Sequence, residues 1–238
     1  MRCETRRPGS LRDVHSSPLT PLSSPRSKSR VWLFDLDNTL HDANPHIFPQ
    51  INLAMRTYIE ALLGVDETRA TQLRQHYWDR YGATLHGLVR HHQVDPHHFL
   101  AETHRFPDLA AMLVFNPAVR AMLDRLPGRK LIYSNAPRHY TEAILELTRL
   151  RGHFDAVYTV ESLGFRPKPM RSGFRRLLQL ERLDPRQCVM VEDSLANLVT
   201  AKKLGMKTVW VSAGSRGSAH VDVKLRKLSD LPRQLGSL

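Results

Sequence analysis

The chain has 238 residues, of which 41% are hydrophobic, and its formal net charge at pH 7 is +12. This length suits one large domain or two smaller ones, and the apolar fraction is sufficient for a buried core. No run approaches the roughly 18 apolar residues of a membrane span, so we expect no membrane-spanning segment. The two cysteines, Cys3 and Cys188, are far apart in the sequence. We therefore expect no disulfide scaffold and a reducing, cytoplasmic environment.

The first 29 residues are rich in Ser, Pro and Arg and show no apolar periodicity. Such a segment cannot bury enough apolar surface to fold, so residues 1–29 are predicted to be a disordered basic extension. Its Arg and Ser content also leaves open an organellar transit peptide. A basic surface attracts phosphate-bearing ligands in general. Because no helix-turn-helix, zinc-finger or RNA-recognition signature is present, we do not expect specific binding to DNA or RNA.

Short apolar runs alternate with helical patterns from residue 30 onwards. Five runs have the composition and length of buried strands: VWLFDL (31–36), KLIYSN (130–135), DAVYTV (155–160), CVMVED (188–193) and TVWVSA (208–213). Helices are predicted between them, including one that begins at Asn116 and one that ends at Gly205. This alternation predicts an α/β fold, with a Rossmann-like parallel sheet that carries helices on both faces.

One interval breaks the alternation of strands and helices. The stretch between the first and second predicted strands is far longer than a crossover helix needs, and its apolar pattern is helical throughout. We therefore predict a helical cap subdomain at 41–115, inserted into a Rossmann-like catalytic core formed by 30–40 and 116–238. The cap would stand over the carboxyl end of the first strand.

Polar and charged side chains follow the predicted strands at their carboxyl ends or lie in the loops beside them. In chain order they are Asp35, Asp37, Ser134, Asn135, Lys168, Glu192 and Asp193. In open α/β sheets, ligands bind outside the carboxyl ends of the strands. We therefore expect these seven side chains to converge on one site.

The spacing of the first two acids indicates a metal and phosphate site. Asp35 and Asp37 are two residues apart, and side chains at that spacing on a strand share a face. Two close carboxylates repel unless a cation offsets them, and Mg²⁺ binds carboxylates together with phosphate oxygens. Asp193 would complete the metal site. In phosphoryl transfer, one aspartate attacks phosphorus, and the other protonates the leaving oxygen and then activates water.

The chain resembles the haloacid dehalogenase superfamily of phosphatases over most of residues 31–213. Four motifs of that superfamily occur in order: DLDNT (35–39), LIYSN (131–135), Lys168 and VMVEDSLAN (189–197). Each motif alone is a weak signal, but all four in order, each at a strand end or in a loop, are a strong one. The acid at position 37 favours a phosphatase over a dehalogenase.

The resemblance implies a role for each motif residue. Asp35 is the expected nucleophile and a Mg²⁺ ligand. Asp37 is the expected general acid and base, with its backbone carbonyl on the metal. Asp193 is a further Mg²⁺ ligand, with Glu192 in the outer shell. The expected phosphate-binding residues are Ser134, Asn135 and Lys168.

Two stretches resemble the pyrimidine 5′-nucleotidase branch of the superfamily: DLDNTLH (35–41) and YGATLHGL (81–88). We therefore predict a Mg²⁺-dependent phosphomonoesterase that acts on nucleoside 5′-monophosphates such as UMP and CMP through an aspartyl-phosphate. Tyr81, Thr84 and His86 are candidates for substrate specificity, although the same residues suit simple packing of the cap. The alternatives are a phosphatase of a small sugar phosphate or phosphoglycolate, and a nucleic-acid-associated binding protein that uses the basic extension.

Nine histidines fall within the predicted cap: His41, His46, His76, His86, His91, His92, His97, His98 and His104. A second metal site is conceivable, but adjacent residues on a helix point in different directions, so the two His-His pairs are poor chelators. We predict that these histidines lie on the solvated surface, apart from His86. Tyr77 and Tyr81 share a helix face, which favours a core stripe over a surface that stacks on a base.

Overall fold

The computed structural model describes residues 30–238, so the predicted extension at 1–29 lies outside the described residues. A six-stranded sheet forms the centre, in the order β3-β2-β1-β4-β5-β6. All neighbouring strands are parallel. The strands are β1 (Val31–Phe34), β2 (Arg129–Tyr133), β3 (Ala156–Tyr158), β4 (Cys188–Glu192), β5 (Lys207–Val211) and β6 (Val223–Leu225).

The central strand β1 is buried on both faces. Its nearly continuous apolar sequence is typical of a strand in a parallel sheet that is covered on both sides. Trp32 and Phe34 belong to the apolar cluster on one face, and Val31 and Leu33 belong to the cluster on the other. This alternation follows from the two-residue period of a strand. The predicted α/β fold with a parallel sheet is confirmed.

Helices cover both faces of the sheet, and the two apolar clusters identify which helix lies on which face. The core helices are α6 (Ala118–Asp124), α7 (Arg138–Leu147), α8 (Arg171–Glu181) and α9 (Leu195–Lys203). Buried residues of α6 and α7 pack in the Trp32 cluster. Those of α8 and α9 pack in the Leu33 cluster. The N-cap residue of α6 is Pro117, one residue after the predicted Asn116, and the Asn116 side chain accepts a hydrogen bond from the Ala118 N–H at 3.0 Å.

Five helices lie between β1 and α6: α1 (Ile47–Leu63), α2 (Glu67–Tyr81), α3 (Thr84–His92), α4 (Pro96–Thr103) and α5 (Leu109–Met112). An isolated antiparallel bridge between Asp42 and Val114 joins the two segments through which the chain enters and leaves this insertion. Side-chain caps at Asp66 and Asp95 begin α2 and α4. The division into core and cap at 41 and 115 stays a prediction, but the helical character of the insertion agrees with the sequence.

The inserted helices have an apolar cluster of their own, and one residue from the core segment after β3 joins it. Its buried members are Ile59, Ala70, Tyr77, Leu85, Leu88, Val94, Phe99, Leu100 and Val160. Tyr77 is buried here and Tyr81 packs beside it, as the core-stripe interpretation predicts. None of the helices between residues 30 and 238 is both long and apolar enough to cross a bilayer.

The prediction that the cap histidines are solvated is wrong for two of them. His41 and His104 are 5% and 8% exposed. Each is buried because its ring has a polar partner inside the protein. His41 Nε2 lies 3.0 Å from Asp37 Oδ1, and His104 Nδ1 lies 3.0 Å from the Thr103 hydroxyl. A partner of this kind offsets part of the cost of burying an imidazole.

Candidate active site

The three strands that carry the predicted acids and the serine are neighbours in the sheet. β1 lies between β2 and β4, with Phe34 opposite Ile132 and Val191. The Asp35 N–H donates to the Val191 carbonyl at 3.0 Å, so the sheet pairing extends to the first acid. Because parallel strands end at the same edge, Asp35 lies between Ser134 and Glu192 along that edge.

Lys168 lies at the centre of the site and is 2% exposed. Its Nζ is 2.7 Å from Asp35 Oδ1 and 2.7 Å from Glu192 Oε2. Burial alone lowers the pKa of Lys168, but the two carboxylates outweigh that effect and raise it. The ammonium therefore stays charged and ties the nucleophile candidate to the end of β4.

Asn135 holds the backbone of Lys168 in place. Its side-chain N–H donates to the Lys168 carbonyl at 2.9 Å, and its side-chain oxygen accepts from the Lys168 N–H at 2.7 Å. The Ser134 hydroxyl oxygen accepts from the Ala136 N–H at 3.0 Å and keeps its own O–H available. Within residues 30–238 the Ser134 O–H donates to no protein acceptor, whereas the Asn135 amide is hydrogen-bonded to the lysine loop.

The start of α8 packs closely on the same loop. A Cβ at Gly173 would lie 2.2 Å from the Arg166 carbonyl oxygen, so only glycine allows this approach. The helix thereby fixes the loop that carries Lys168. Any side chain at this position would force the Arg166 backbone or the start of α8 to shift.

Three acids form a cluster that can bind a metal ion. One carboxylate oxygen from each of Asp35, Glu192 and Asp193 lies within 4.8 Å of the other two. Burial raises the pKa of Asp35 well above its usual range, and the charge of Glu192 raises it further. Burial, followed by the charge of Asp35, also raises the pKa of Asp193. Excess negative charge at a set of hard oxygen donors fits a divalent cation such as Mg²⁺.

The two acids at the end of β4 are held differently. Glu192 Oε2 binds Lys168, and its Oε1 accepts from the Ser194 N–H at 3.2 Å, so both oxygens have protein partners. The backbone carbonyl of Asp193 accepts from the Trp210 indole N–H at 2.8 Å, which fixes the main chain and leaves the carboxylate to face the cluster. This arrangement suits Asp193 as a direct metal ligand and Glu192 as an outer one.

Asp37 has two partners that the sequence motifs did not indicate. The Tyr140 hydroxyl donates to Asp37 Oδ1 at 2.5 Å, and His41 Nε2 lies 3.0 Å from the same oxygen. Burial and the Asp37 charge raise the pKa of Tyr140, so the hydroxyl stays protonated. The motifs indicate neither residue, because α7 approaches Asp37 only in the folded chain and because the sequence predicts that His41 lies on the surface with the other histidines of the insertion. Its i+4 spacing from Asp37 was the one available signal.

The three candidates for substrate specificity lie in the inserted helices and make intramolecular contacts. The Thr84 hydroxyl donates to the Arg74 carbonyl at 3.1 Å, and the Tyr81 hydroxyl lies 2.6 Å from His91 Nε2. His86 Nε2 lies 2.7 Å from the Phe165 carbonyl oxygen, in the core segment after β3. His86 therefore joins the helical insertion to the core.

Comparisons with known proteins agree with this architecture. The model of the haloacid dehalogenase-like hydrolases matches residues 30–205. The phosphoglycolate phosphatase of Aquifex aeolicus is 25% identical over 207 residues, which are 85% of this chain and 94% of that protein. The phosphate metabolism protein 8 of Saccharomyces cerevisiae is 28% identical over 74 residues, which are 31% of this chain and only 23% of that protein.

A solved structure shows the same fold. The crystal structure of a phosphatase of this family from Thermococcus onnurineus has a TM-score of 0.63 at 24% identity, covering 87% of this chain and 98% of that one. The family model covers the first strand, the helical insertion and the strand that ends in Glu192. The chain therefore belongs to the haloacid dehalogenase-like hydrolases.

Proposed function

We propose that the chain is a Mg²⁺-dependent phosphatase that hydrolyses nucleoside 5′-monophosphates, preferentially those with a pyrimidine base, through an aspartyl-phosphate on Asp35. The observation that carries the chemical part of this proposal is the buried Lys168, which pairs with Asp35 and Glu192 beside the carboxylate of Asp193. A purely structural ion pair needs no third acid at a sheet edge. A site that binds a metal ion together with phosphate does need such an additional acidic ligand.

The first half of the reaction transfers the phosphoryl group to the protein. A carboxylate oxygen of Asp35 attacks phosphorus while the bond from phosphorus to the ester oxygen breaks. Asp37 gives its proton to that departing oxygen, so the products are a free alcohol and an acyl-phosphate on Asp35. Lys168 stays charged next to Asp35 and stabilises the negative charge of the phosphoryl oxygens, together with the Ser134 hydroxyl.

The second half regenerates the protein. The Asp37 carboxylate takes a proton from a water molecule whose oxygen attacks phosphorus, and the bond between phosphorus and Asp35 breaks to release inorganic phosphate. Asp35, Asp193 and the Asp37 backbone carbonyl are the groups that would hold Mg²⁺, which supplies positive charge against the phosphate oxygens.

The choice of a nucleotide rests on sequence resemblance. The stretches DLDNTLH and YGATLHGL resemble the nucleotidase branch, and the second lies at the junction of α2 and α3. The main competitor is phosphoglycolate or a small sugar phosphate, which the relative from Aquifex aeolicus favours because it aligns over most of both chains. Both substrates would use the same residues for the chemistry.

A phosphate-release assay separates these possibilities. We would measure inorganic phosphate from UMP, CMP, phosphoglycolate and a hexose phosphate, with Mg²⁺ and with a chelator. The proteins would be the wild type, Asp35→Asn and the control Asp124→Asn, which changes an exposed acid at the end of α6. We expect Mg²⁺-dependent release with the highest kcat/KM for UMP or CMP, lost in Asp35→Asn alone. Preference for phosphoglycolate would overturn the nucleotide assignment, and release by Asp35→Asn would overturn the mechanism.

A further inference from the structure

Two side chains contact the Asp37 carboxyl group closely, and both contact the same oxygen, Oδ1. The Tyr140 hydroxyl donates to it at 2.5 Å, and His41 Nε2 lies at 3.0 Å. Among residues 30–238, no side-chain hydrogen bond is made to the other oxygen, Oδ2. The two oxygens of one carboxyl group are therefore in different environments.

Both partners of Asp37 are rigidly placed. Tyr140 is 1% exposed, and its ring packs on Phe106 and His104 with centroid distances of 5.4 and 5.8 Å. The side chain of His41 is completely buried. Its backbone also pairs with that of Asp37 in a bridge. Neither side chain can leave Oδ1 without loss of packing in its surroundings.

The contacts of the His41 ring indicate which of its nitrogens carries a proton. Its Nδ1 is buried and has no hydrogen-bond partner among the described residues, whereas Nε2 faces the Asp37 oxygen. With a proton on Nε2, the ring donates a hydrogen bond to Oδ1, whereas an Nε2 without a proton would place two acceptors against each other. His41 and Tyr140 therefore both act as donors to Oδ1.

We propose that Tyr140 and His41 are positioning residues that hold the Asp37 carboxyl group so that its free Oδ2 carries and delivers the proton to the leaving oxygen. In a protonated carboxyl group, the carbonyl oxygen is the better acceptor, so two donors at Oδ1 direct the proton to Oδ2. The inference rests on the proposed function, because it assigns two further residues to the acid step of that reaction.

The consequence is a dependence on the leaving group. An alkoxide or phenoxide is a poor leaving group and needs the proton of Asp37, whereas 4-nitrophenoxide departs without one. Loss of positioning should therefore slow the hydrolysis of UMP and phenyl phosphate far more than that of 4-nitrophenyl phosphate. The parameter to compare is kcat/KM, because it reports on steps up to departure of the leaving group and excludes the later hydrolysis of the acyl-phosphate.

Tyr140→Phe tests the role of the hydroxyl, with Tyr158→Phe as a matched control. The Tyr158 hydroxyl also donates to a carboxylate at 2.5 Å, that of Glu181, but on β3 and outside the site. For Tyr140→Phe we expect kcat/KM to fall about 10-fold or more for phenyl phosphate and by less than about 3-fold for 4-nitrophenyl phosphate. Tyr158→Phe should leave the ratio of the two values unchanged.

A second pair of variants tests the histidine and guards against misfolding. His41→Gln retains a donor near the position of Nε2, whereas His41→Leu removes it. The ratio of kcat/KM for phenyl phosphate to that for 4-nitrophenyl phosphate should stay near the wild-type value in His41→Gln. In His41→Leu the ratio should fall as it does in Tyr140→Phe. Equal losses for both substrates, or no loss in either Tyr140→Phe or His41→Leu, would overturn the positioning role and leave the proposed function intact. Failure of the wild type to hydrolyse any phosphate ester would overturn both.

Discussion

Lys168 lies between Asp35 and Glu192, with its ammonium nitrogen 2.7 Å from an oxygen of each. All three side chains are buried, so each charge depends on the others for compensation. Removal of one member of a buried ion pair leaves an unpaired charge, which costs more than the loss of a surface pair. The lysine therefore contributes to the fold as well as to the proposed chemistry.

Lys168→Met tests this dependence at the level of stability. We expect the free energy of unfolding to fall by about 3 kcal/mol, because two buried carboxylates lose their cation. The double variant Lys168→Met/Glu192→Gln should recover part of this loss, since one unpaired charge is removed as well. Urea denaturation near neutral pH without added Mg²⁺ measures both values. Equal stability of wild type and Lys168→Met would contradict the account.

Some residues of the site could be predicted from the sequence, and others could not. Lys168, Asp193 and the two acids after β1 stand in motifs, so they could be named in advance. Tyr140 could not, because its position opposite Asp37 depends on how α7 packs on the sheet and leaves no local mark in the sequence. The phosphate-binding role of Asn135 stays a prediction, and the hydrogen bonds of its amide to the backbone of Lys168 were not expected. A short polar side chain after a strand does not indicate which neighbour it will contact.

At the scale of elements, the end of α4 meets α7 at His104. The His104 ring lies 6.4 Å from that of His139 and 5.8 Å from that of Tyr140, measured between centroids. The His139 ring nitrogen lies 3.2 Å from the His104 carbonyl oxygen. Burial lowers the pKa of His104 from 6.5 to about 4; the Asp37 charge opposes this shift and His139 supports it.

The lowered pKa of His104 makes stability depend on pH. The folded protein keeps the ring neutral at a pH where the unfolded chain takes up a proton, so stability is full above the unfolded pKa and falls as pH drops from 6.5 towards 4. Between about pH 8 and about pH 5, the wild type should lose about 2 kcal/mol more than His104→Asn. Urea unfolding at the two pH values measures this difference, and parallel losses in the two proteins would show that His104 does not titrate as described.

The elements themselves were largely predictable. Each of the five predicted runs overlaps one of the observed strands, because the buried strands of a parallel sheet are rich in apolar residues. The sixth strand, Val223–Leu225, was missed because it has three residues and a lysine at its centre. Its position at the edge of the sheet allows a charged side chain to reach solvent. The end of α9 near Gly205, which has a φ of +93°, was correctly indicated by the glycine.

At the scale of the whole molecule, the strand order brings distant residues to one edge. Asp35, Ser134 and Glu192 span more than half of the chain, yet they follow adjacent strands. The alternation of strands and helices predicts this convergence, since ligands in such sheets bind at the carboxyl edge. The contacts of the insertion with the core, such as His86 with the Phe165 carbonyl, were not predictable because they depend on how two separately packed clusters meet.

The central claim is that Asp35 accepts the phosphoryl group. The most direct measurement is the mass of the intact protein after acid quenching of a reaction with excess substrate and Mg²⁺, followed by peptide mapping. We expect a fraction of the protein to be heavier by one phosphoryl group, which is located on the peptide that contains Asp35 and is absent from Asp35→Asn. Turnover without any phosphorylated protein, or a phosphoryl group on another residue, would contradict it.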